Sequence, residues 1–262
     1  MHSRMRALGS FAGAYTGFHW SRPFLALGTA AIFAGSTIAG KFASEALDPI
    51  SIILVRSLMA LIFLAILAAP QGTAAFKASP RHLLPMALLG ASGIVGYVYF
   101  FLLSLDHTAL SNTAIISSLS PVITAVAAAV LIGERLSARS YFGLLVSLGG
   151  VLLLLSQGNW DVIAGLRFNY GDRLMLLAVG CSVLYGLVAK ILSGRYAAIT
   201  LTLYMTLAAV LILLVIVDWQ KLATVETLAY DVWLALFFMG VVSSGFGYML
   251  YNVTVRVRPE TL

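Results

Sequence analysis

The sequence predicts an all-α integral membrane protein built as an inverted repeat, with five spanning helices followed by the first three helices of a second copy. Apolar residues make up 61% of the 262 residues and charged residues only 10%, whereas soluble domains average about 45–50% and about 25%. Residues 31–41, AIFAGSTIAGK, align with residues 180–190, GCSVLYGLVAK, at an offset of about 150 positions. An odd number of spans per copy makes the second copy enter the bilayer upside down, as in inverted-repeat secondary transporters.

Eight windows of the sequence are long enough to span a bilayer, which requires about 20 mostly apolar residues. They cover residues 23–43, 50–69, 83–105, 109–132, 140–156, 174–193, 199–217 and 232–253. The predicted domains are a tail at 1–21, a first five-helix repeat at 22–156, an external linker at 157–173 and an incomplete second repeat at 174–262. A mean hydropathy of +0.98 leaves no room for a sizeable soluble domain.

The distribution of cations predicts the orientation of the chain. Links on the side of the N-terminus hold ten of the sixteen Lys and Arg residues, and links on the opposite side hold three. Because positive charge is enriched in cytoplasmic loops, we expect a cytoplasmic N-terminus. The predicted location is a bacterial-type inner (plasma) membrane, which the chain crosses several times.

Several other functions are disfavoured by the sequence. The basic residues are scattered and form no stripe for a nucleic acid. The single cysteine, Cys181, excludes a disulfide framework and a cysteine metal cluster. Nucleotide-binding glycine loops follow a β-strand. No strand precedes the glycine-rich stretches at 90–96 and 240–247, so they are not interpreted as such loops. We expect no metal and no cofactor. A membrane enzyme would need a convergent nucleophile or acid–base pair, and none is visible.

Three cations are associated with spans, where burying a charge costs at least about 2.5–3.5 kcal/mol. Arg56 lies some six residues inside the second span. It has either a substrate or gating role, or a structural one through snorkelling or an ion pair. Lys41 and Lys190 end the two aligned segments and could snorkel. Their matched positions keep open a role as paired gate residues.

Polar and aromatic side chains inside the spans are further candidates for a central cavity. Each of them could instead serve helix packing or interface anchoring. All ten acidic residues fall at span ends or in links. Proton-coupled transport through a buried carboxylate is therefore less favoured than exchange or facilitated export. The substrate or gating candidates of this kind are Tyr97, Asn112, Ser117, Ser120, Tyr185, Tyr204, Ser244 and Tyr248, with Asn252 following in the eighth span.

The fourth and fifth spans carry a recognisable pattern. A proline, Pro121, lies within the fourth span, and the sequence Gly133, Glu134, Arg135 closes it. The run from residue 111 to 155 resembles the EamA-type repeat of the drug/metabolite transporter superfamily. That resemblance implies ten helices in two inverted five-helix halves around a central site. With eight spans of the expected ten, the chain is interpreted as truncated at its C-terminus.

The leading functional hypothesis is a permease that exports or exchanges a small polar metabolite or drug by alternating access. Arg56, with Lys41 or Lys190, favours an anionic or zwitterionic substrate slightly. The alternative is a non-transporting truncated remnant or membrane scaffold. The lipid bilayer is the expected environment, and the oligomeric state stays open, with a dimer among the alternatives.

Overall fold

Helices form the regular structure of the residues that the computed structural model describes, which are 21–131, 133, 137–156 and 169–254. The first repeat contains α1 (Ser21–Ser44), α2 (Pro49–Ala68), α3 (Pro80–Leu89), the π-helix π1 (Gly90–Gly96), α4 (Tyr97–Leu105), α5 (Leu110–Ser118), α6 (Ser120–Leu131) and α7 (Ala138–Ser156). The second repeat contains α8 (Tyr170–Ser193), α9 (Ala198–Ile216), α10 (Trp219–Leu222), α11 (Tyr230–Phe237), the π-helix π2 (Phe238–Gly247) and α12 (Tyr248–Thr254).

Seven helical segments in the described residues are long and apolar enough to cross a membrane. They correspond to seven of the predicted windows. The remaining window coincides with α7, whose apolar stretch Tyr141–Gly150 is shorter, so the count of eight spans stays a prediction. Large apolar side chains such as Leu84, Val130 and Val215 are more than 70% exposed. An exposed apolar surface of this kind suits contact with lipid, and the all-α membrane fold is confirmed.

Pro121 lies beside a break in the fourth span, and Gly133 follows the end of that span. The helix is interrupted at Leu119, just before Pro121, which has no N–H to continue the backbone ladder. After α6, Gly133 has a φ of +73°, the left-handed conformation that commonly follows a helix C-terminus. The helix is therefore interrupted beside the proline, and a glycine follows its end, whereas Glu134 and Arg135 lie outside the described residues.

Both long glycine-containing spans switch from α-helix to π-helix and back. In the first repeat the switch covers π1, and in the second it covers π2. The sequence analysis did not predict these segments. π-Helices are rare and are frequently found at functional sites. Their occurrence at corresponding places in the two repeats therefore makes the core between them a candidate site.

The same repeat is visible in local contacts at the ends of α1 and α8. The hydroxyl of Ser44 donates to the carbonyl of Lys41, and the hydroxyl of Ser193 donates to the carbonyl of Lys190, both at 2.9 Å. The aligned segments therefore share their helix-end geometry as well as their sequence.

Glycines bring the two repeats into close backbone contact. A Cβ atom at Gly240 would lie only 2.8 Å from the carbonyl oxygen of Arg56, on α2. Correspondingly, a Cβ at Gly90 would collide with the carbonyl of Met205, on α9. Each π-helix thus packs on the second helix of the other repeat, and Met205 occupies the position that corresponds to Arg56. These contacts give Gly90 and Gly240 a role in helix packing.

Polar contacts between the repeats define two ends of the bundle. At the end where α3 begins, the N–H of Ser79 donates to the hydroxyl of Tyr196, in the α8–α9 junction, at 3.1 Å. We call this the Pro80 end. At the opposite end, which we call the Asp106 end, the hydroxyl of Thr108 donates to Asp172 at 2.8 Å. Contacts at both ends, together with the packing of α4 along α8, fasten the third span to α8.

Substituting Gly240 by Ala should lower the stability of the protein by about 1–3 kcal/mol, because the added methyl group would overlap backbone atoms of α2. A matched control is Gly180→Ala in α8, where a Cβ would meet nothing within 4 Å. That variant should be neutral or more stable by up to about 1 kcal/mol through its higher helix propensity. Thermal unfolding in one detergent compares the two, and equal stabilities would refute the close-contact assignment.

Candidate functional site

Arg56 is the central feature of the candidate site. Its side chain is only 4% exposed, although it projects from a helix whose neighbouring residues are mostly apolar. Its Nε–H donates to the hydroxyl oxygen of Ser244, in π2, at 2.9 Å. Arg56 therefore does not snorkel to the end of α2, and its hydrogen bond joins the first repeat to the second.

The two terminal nitrogens of Arg56 have no hydrogen-bond acceptor among the described residues. A guanidinium carries five N–H donors, and only the Nε–H is used here. No described carboxylate forms an ion pair with Arg56. Besides Ser244, the phenols of Tyr97 and Tyr248 lie close enough to interact electrostatically with the guanidinium. Since both phenols are neutral near pH 7, the positive charge has no counter-charge in the described part of the protein.

Aromatic rings surround this part of the core. The rings of Tyr185 and Tyr248 meet edge to face with centroids 5.5 Å apart, and Phe33 meets Tyr248 in the same way at 5.4 Å. Tyr251 lies against Tyr185 at 5.4 Å. Edge-to-face pairs of this kind add about 0.5–1.5 kcal/mol each beyond the burial of their area, so they hold the rings of α1, α8 and α12 in defined orientations.

A chain of hydrogen bonds continues from the aromatic rings toward the Pro80 end. The hydroxyl of Tyr185 donates to the amide oxygen of Asn252 at 3.1 Å. The amide nitrogen of Asn252 donates to the hydroxyl of Thr202 at 3.0 Å. All three residues are buried, so these bonds join α8, α12 and α9 without access to bulk water.

Six of the predicted candidates therefore lie in one connected region: Arg56, Tyr97, Tyr185, Ser244, Tyr248 and Asn252. Sequence reasoning missed Thr202 and Phe33, which complete the region. The i, i+4, i+8 spacing of residues 244, 248 and 252 is a signal that could have grouped those three. No pattern in the sequence identifies their partners on other helices.

The other polar candidates lie outside this region or bond elsewhere. Ser120 shares a hydrogen bond with Ser182 of α8, and Ser117 donates to the carbonyl of Ala114 within its own helix. The amide of Asn112 donates to Thr108 at the Asp106 end. The hydroxyl of Tyr204 donates to the carbonyl of Phe76 at 2.7 Å, which fastens the α2–α3 link to α9.

The two lysines are not brought to Arg56. Lys41 lies in the last turn of α1 and Lys190 in the last turn of α8, and both are half-buried. In an inverted repeat these positions lie at opposite ends of the bundle. Their proposed pairing as gate residues stays a prediction.

Comparison with known proteins agrees with this architecture. The chain is 28% identical over 170 residues to an uncharacterized transporter, YyaM, of Bacillus subtilis, and the match covers 64% of this chain and 56% of that protein. It is 25% identical to a probable terminal-alkyne amino-acid exporter of Streptantibioticus cattleyicolor, over 79% of this chain and 69% of the exporter. A solved crystal structure shares the fold with a TM-score of 0.63 and 18% identity, covering 90% of this chain and 79% of that one.

A multi-pass helical bundle with these relatives is similar to membrane transporters. The model of the EamA-like transporter family matches residues 21–156 and 169–258, so the chain belongs to that family. The alignment to the Bacillus transporter spans little more than half of that relative's length.

Replacing Ser244 by Ala should lower stability by about 1.5–3 kcal/mol, because the buried Nε–H of Arg56 would lose its acceptor. Arg56→Met introduces the residue found at the corresponding position of α9. It should be neutral or stabilising, because it removes a buried charge without a counter-charge.

The double variant Ser244→Ala, Arg56→Met should therefore recover the stability that Ser244→Ala loses. Chemical or thermal unfolding of the four proteins forms a double-mutant cycle that measures the coupling. Additive losses would show that the two side chains do not depend on each other.

Proposed function

We propose that the chain is a secondary transporter that exports or exchanges a small polar metabolite by alternating access, with an anionic or zwitterionic substrate bound at Arg56. The proposed location is a bacterial inner membrane, with the Pro80 end and the N-terminus on the cytoplasmic side.

The observation that carries this proposal is that the two terminal nitrogens of Arg56 have no acceptor among the described residues, although the residue is only 4% exposed. Burying a charge without a partner is costly in a membrane protein, and such residues commonly mark substrate pathways. A carboxylate fits the two terminal nitrogens because its oxygens can accept two parallel hydrogen bonds. The bound anion would also supply the missing counter-charge.

The architecture supports alternating access around the same point. Arg56 lies where α2 packs on π2, and Met205 lies where α9 packs on π1, so Arg56 is at the interface between the two repeats. Substrate sites of inverted-repeat transporters lie at such repeat interfaces. The relative named as an amino-acid exporter is consistent with a zwitterionic substrate, since an amino acid carries a carboxylate.

Arg56→Met should abolish transport while leaving the protein folded. Counterflow in proteoliposomes with a panel of radiolabelled amino acids and small carboxylates would identify a substrate and measure the loss. We expect at least a ten-fold decrease, because one hydrogen bond to a charged group is worth about 1.5–3 kcal/mol. Arg56→Lys should also transport poorly, since an ammonium lacks the planar fork of a guanidinium.

Met205→Leu is the matched control, because it changes the corresponding residue of the other repeat while conserving volume. Retained transport in Arg56→Met would remove Arg56 from substrate binding. Parallel losses of transport and stability would instead assign it a structural role. A folded wild-type protein that moves no member of the panel would favour the non-transporting scaffold.

A further inference from the structure

Three polar residues form one stripe along the last membrane helix. Ser244, Tyr248 and Asn252 are spaced four residues apart, so they share a helix face. All three are buried, with exposed fractions of 0%, 7% and 1%. We call them the polar stripe.

Each residue of the polar stripe bonds to a different helix. Ser244 accepts from Arg56 of α2, and Tyr248 donates to the carbonyl of Gly93 in π1. Asn252 bonds to both α8 and α9, through Tyr185 and Thr202. One helix face therefore connects the proposed substrate contact to four elements, and the last of its bonds lie at the Pro80 end.

The backbone around the polar stripe allows it to change position as a unit. Ser244 lies within π2, and α12 begins directly after π2 ends. A shift of register by one residue in a helix rotates everything beyond it by about 100°, because an α-helix has about 3.6 residues per turn. Such a shift in π2 would remove Tyr248 and Asn252 from their partners together. The acceptor of Tyr248 lies in a π-helix as well, where the ordinary backbone ladder is interrupted.

We propose that the polar stripe is a cooperative latch that closes the Pro80 end, and that Asn252 is a positioning residue which couples this closure to the state of Arg56. The coupling to substrate rests on the function proposed above, whereas the latch itself does not. A carboxylate bound at the terminal nitrogens of Arg56 would draw the guanidinium toward itself and weaken the bond from Nε to Ser244. Loss of that bond would then weaken the bonds of Tyr248 and Asn252.

Hydrogen–deuterium exchange of the full chain in lipid nanodiscs tests the latch without any substrate. Ser244→Ala should accelerate amide exchange in residues 248–254 by about ten-fold or more, the effect of losing one hydrogen bond to a charged group. Ser243→Ala is the matched control, since it makes the same change at a buried neighbour in the same π-helix. Acceleration by Ser244→Ala that does not exceed that of Ser243→Ala would overturn the latch.

Two further variants test the same coupling from the Pro80 end. Tyr185→Phe and Thr202→Val each remove one bond to Asn252 while keeping the side-chain shape. Because coupling is reciprocal, both should accelerate exchange in residues 238–247 as well as in 248–254. They also carry the test if Ser244→Ala does not fold.

Acceleration confined to 248–254 in these two variants would show that the bonds act independently, which contradicts the proposal. Equal acceleration throughout α4 and α8 would show general destabilisation, and that outcome also contradicts it. Because no substrate is present, a failure of the transport assay leaves these outcomes unaffected.

Discussion

The burial of one positive charge is the constraint on which the centre of this protein depends. A guanidinium in a low-dielectric core is stable only if the surrounding groups replace part of its hydration. Here, Ser244 supplies one acceptor, and the phenols of Tyr97 and Tyr248 lie nearby. No described residue accepts a hydrogen bond from the terminal nitrogens, and that deficit is the basis of the proposed binding of an anion.

The π-helices explain how two inverted repeats approach closely enough to build this centre. Gly90 and Gly240 place the backbone of each π-helix against α9 or α2, so little space remains for a side chain between them. Polar groups can therefore reach across the repeats with short side chains. Ser244 reaches Arg56 in this way, and the carbonyl of Gly93 receives the hydroxyl of Tyr248.

The sequence predicted the features that depend on composition and spacing. Hydropathy is a property of each segment alone, so the predicted spans agree with helices to within a few residues. The isolated charge of Arg56 and the break at Pro121 were predictable for the same reason. The π-helices were not, because glycine also occurs in straight membrane helices. Nor could spacing distinguish Ser244, which meets a charge, from Ser117, which bonds to its own backbone, since that difference depends on which helix lies opposite.

The difference between Arg56 and Met205 also bears on symmetry. The backbone contacts at these positions are the same in both repeats, but only the first repeat contributes a charge. A bundle assembled from two copies of the first repeat would bury two guanidiniums in one core and add mutual repulsion to the desolvation of each. Fusion of two diverged repeats in one chain avoids that conflict. It also makes the interface between the repeats asymmetric, because the first repeat buries a cation where the second buries a thioether.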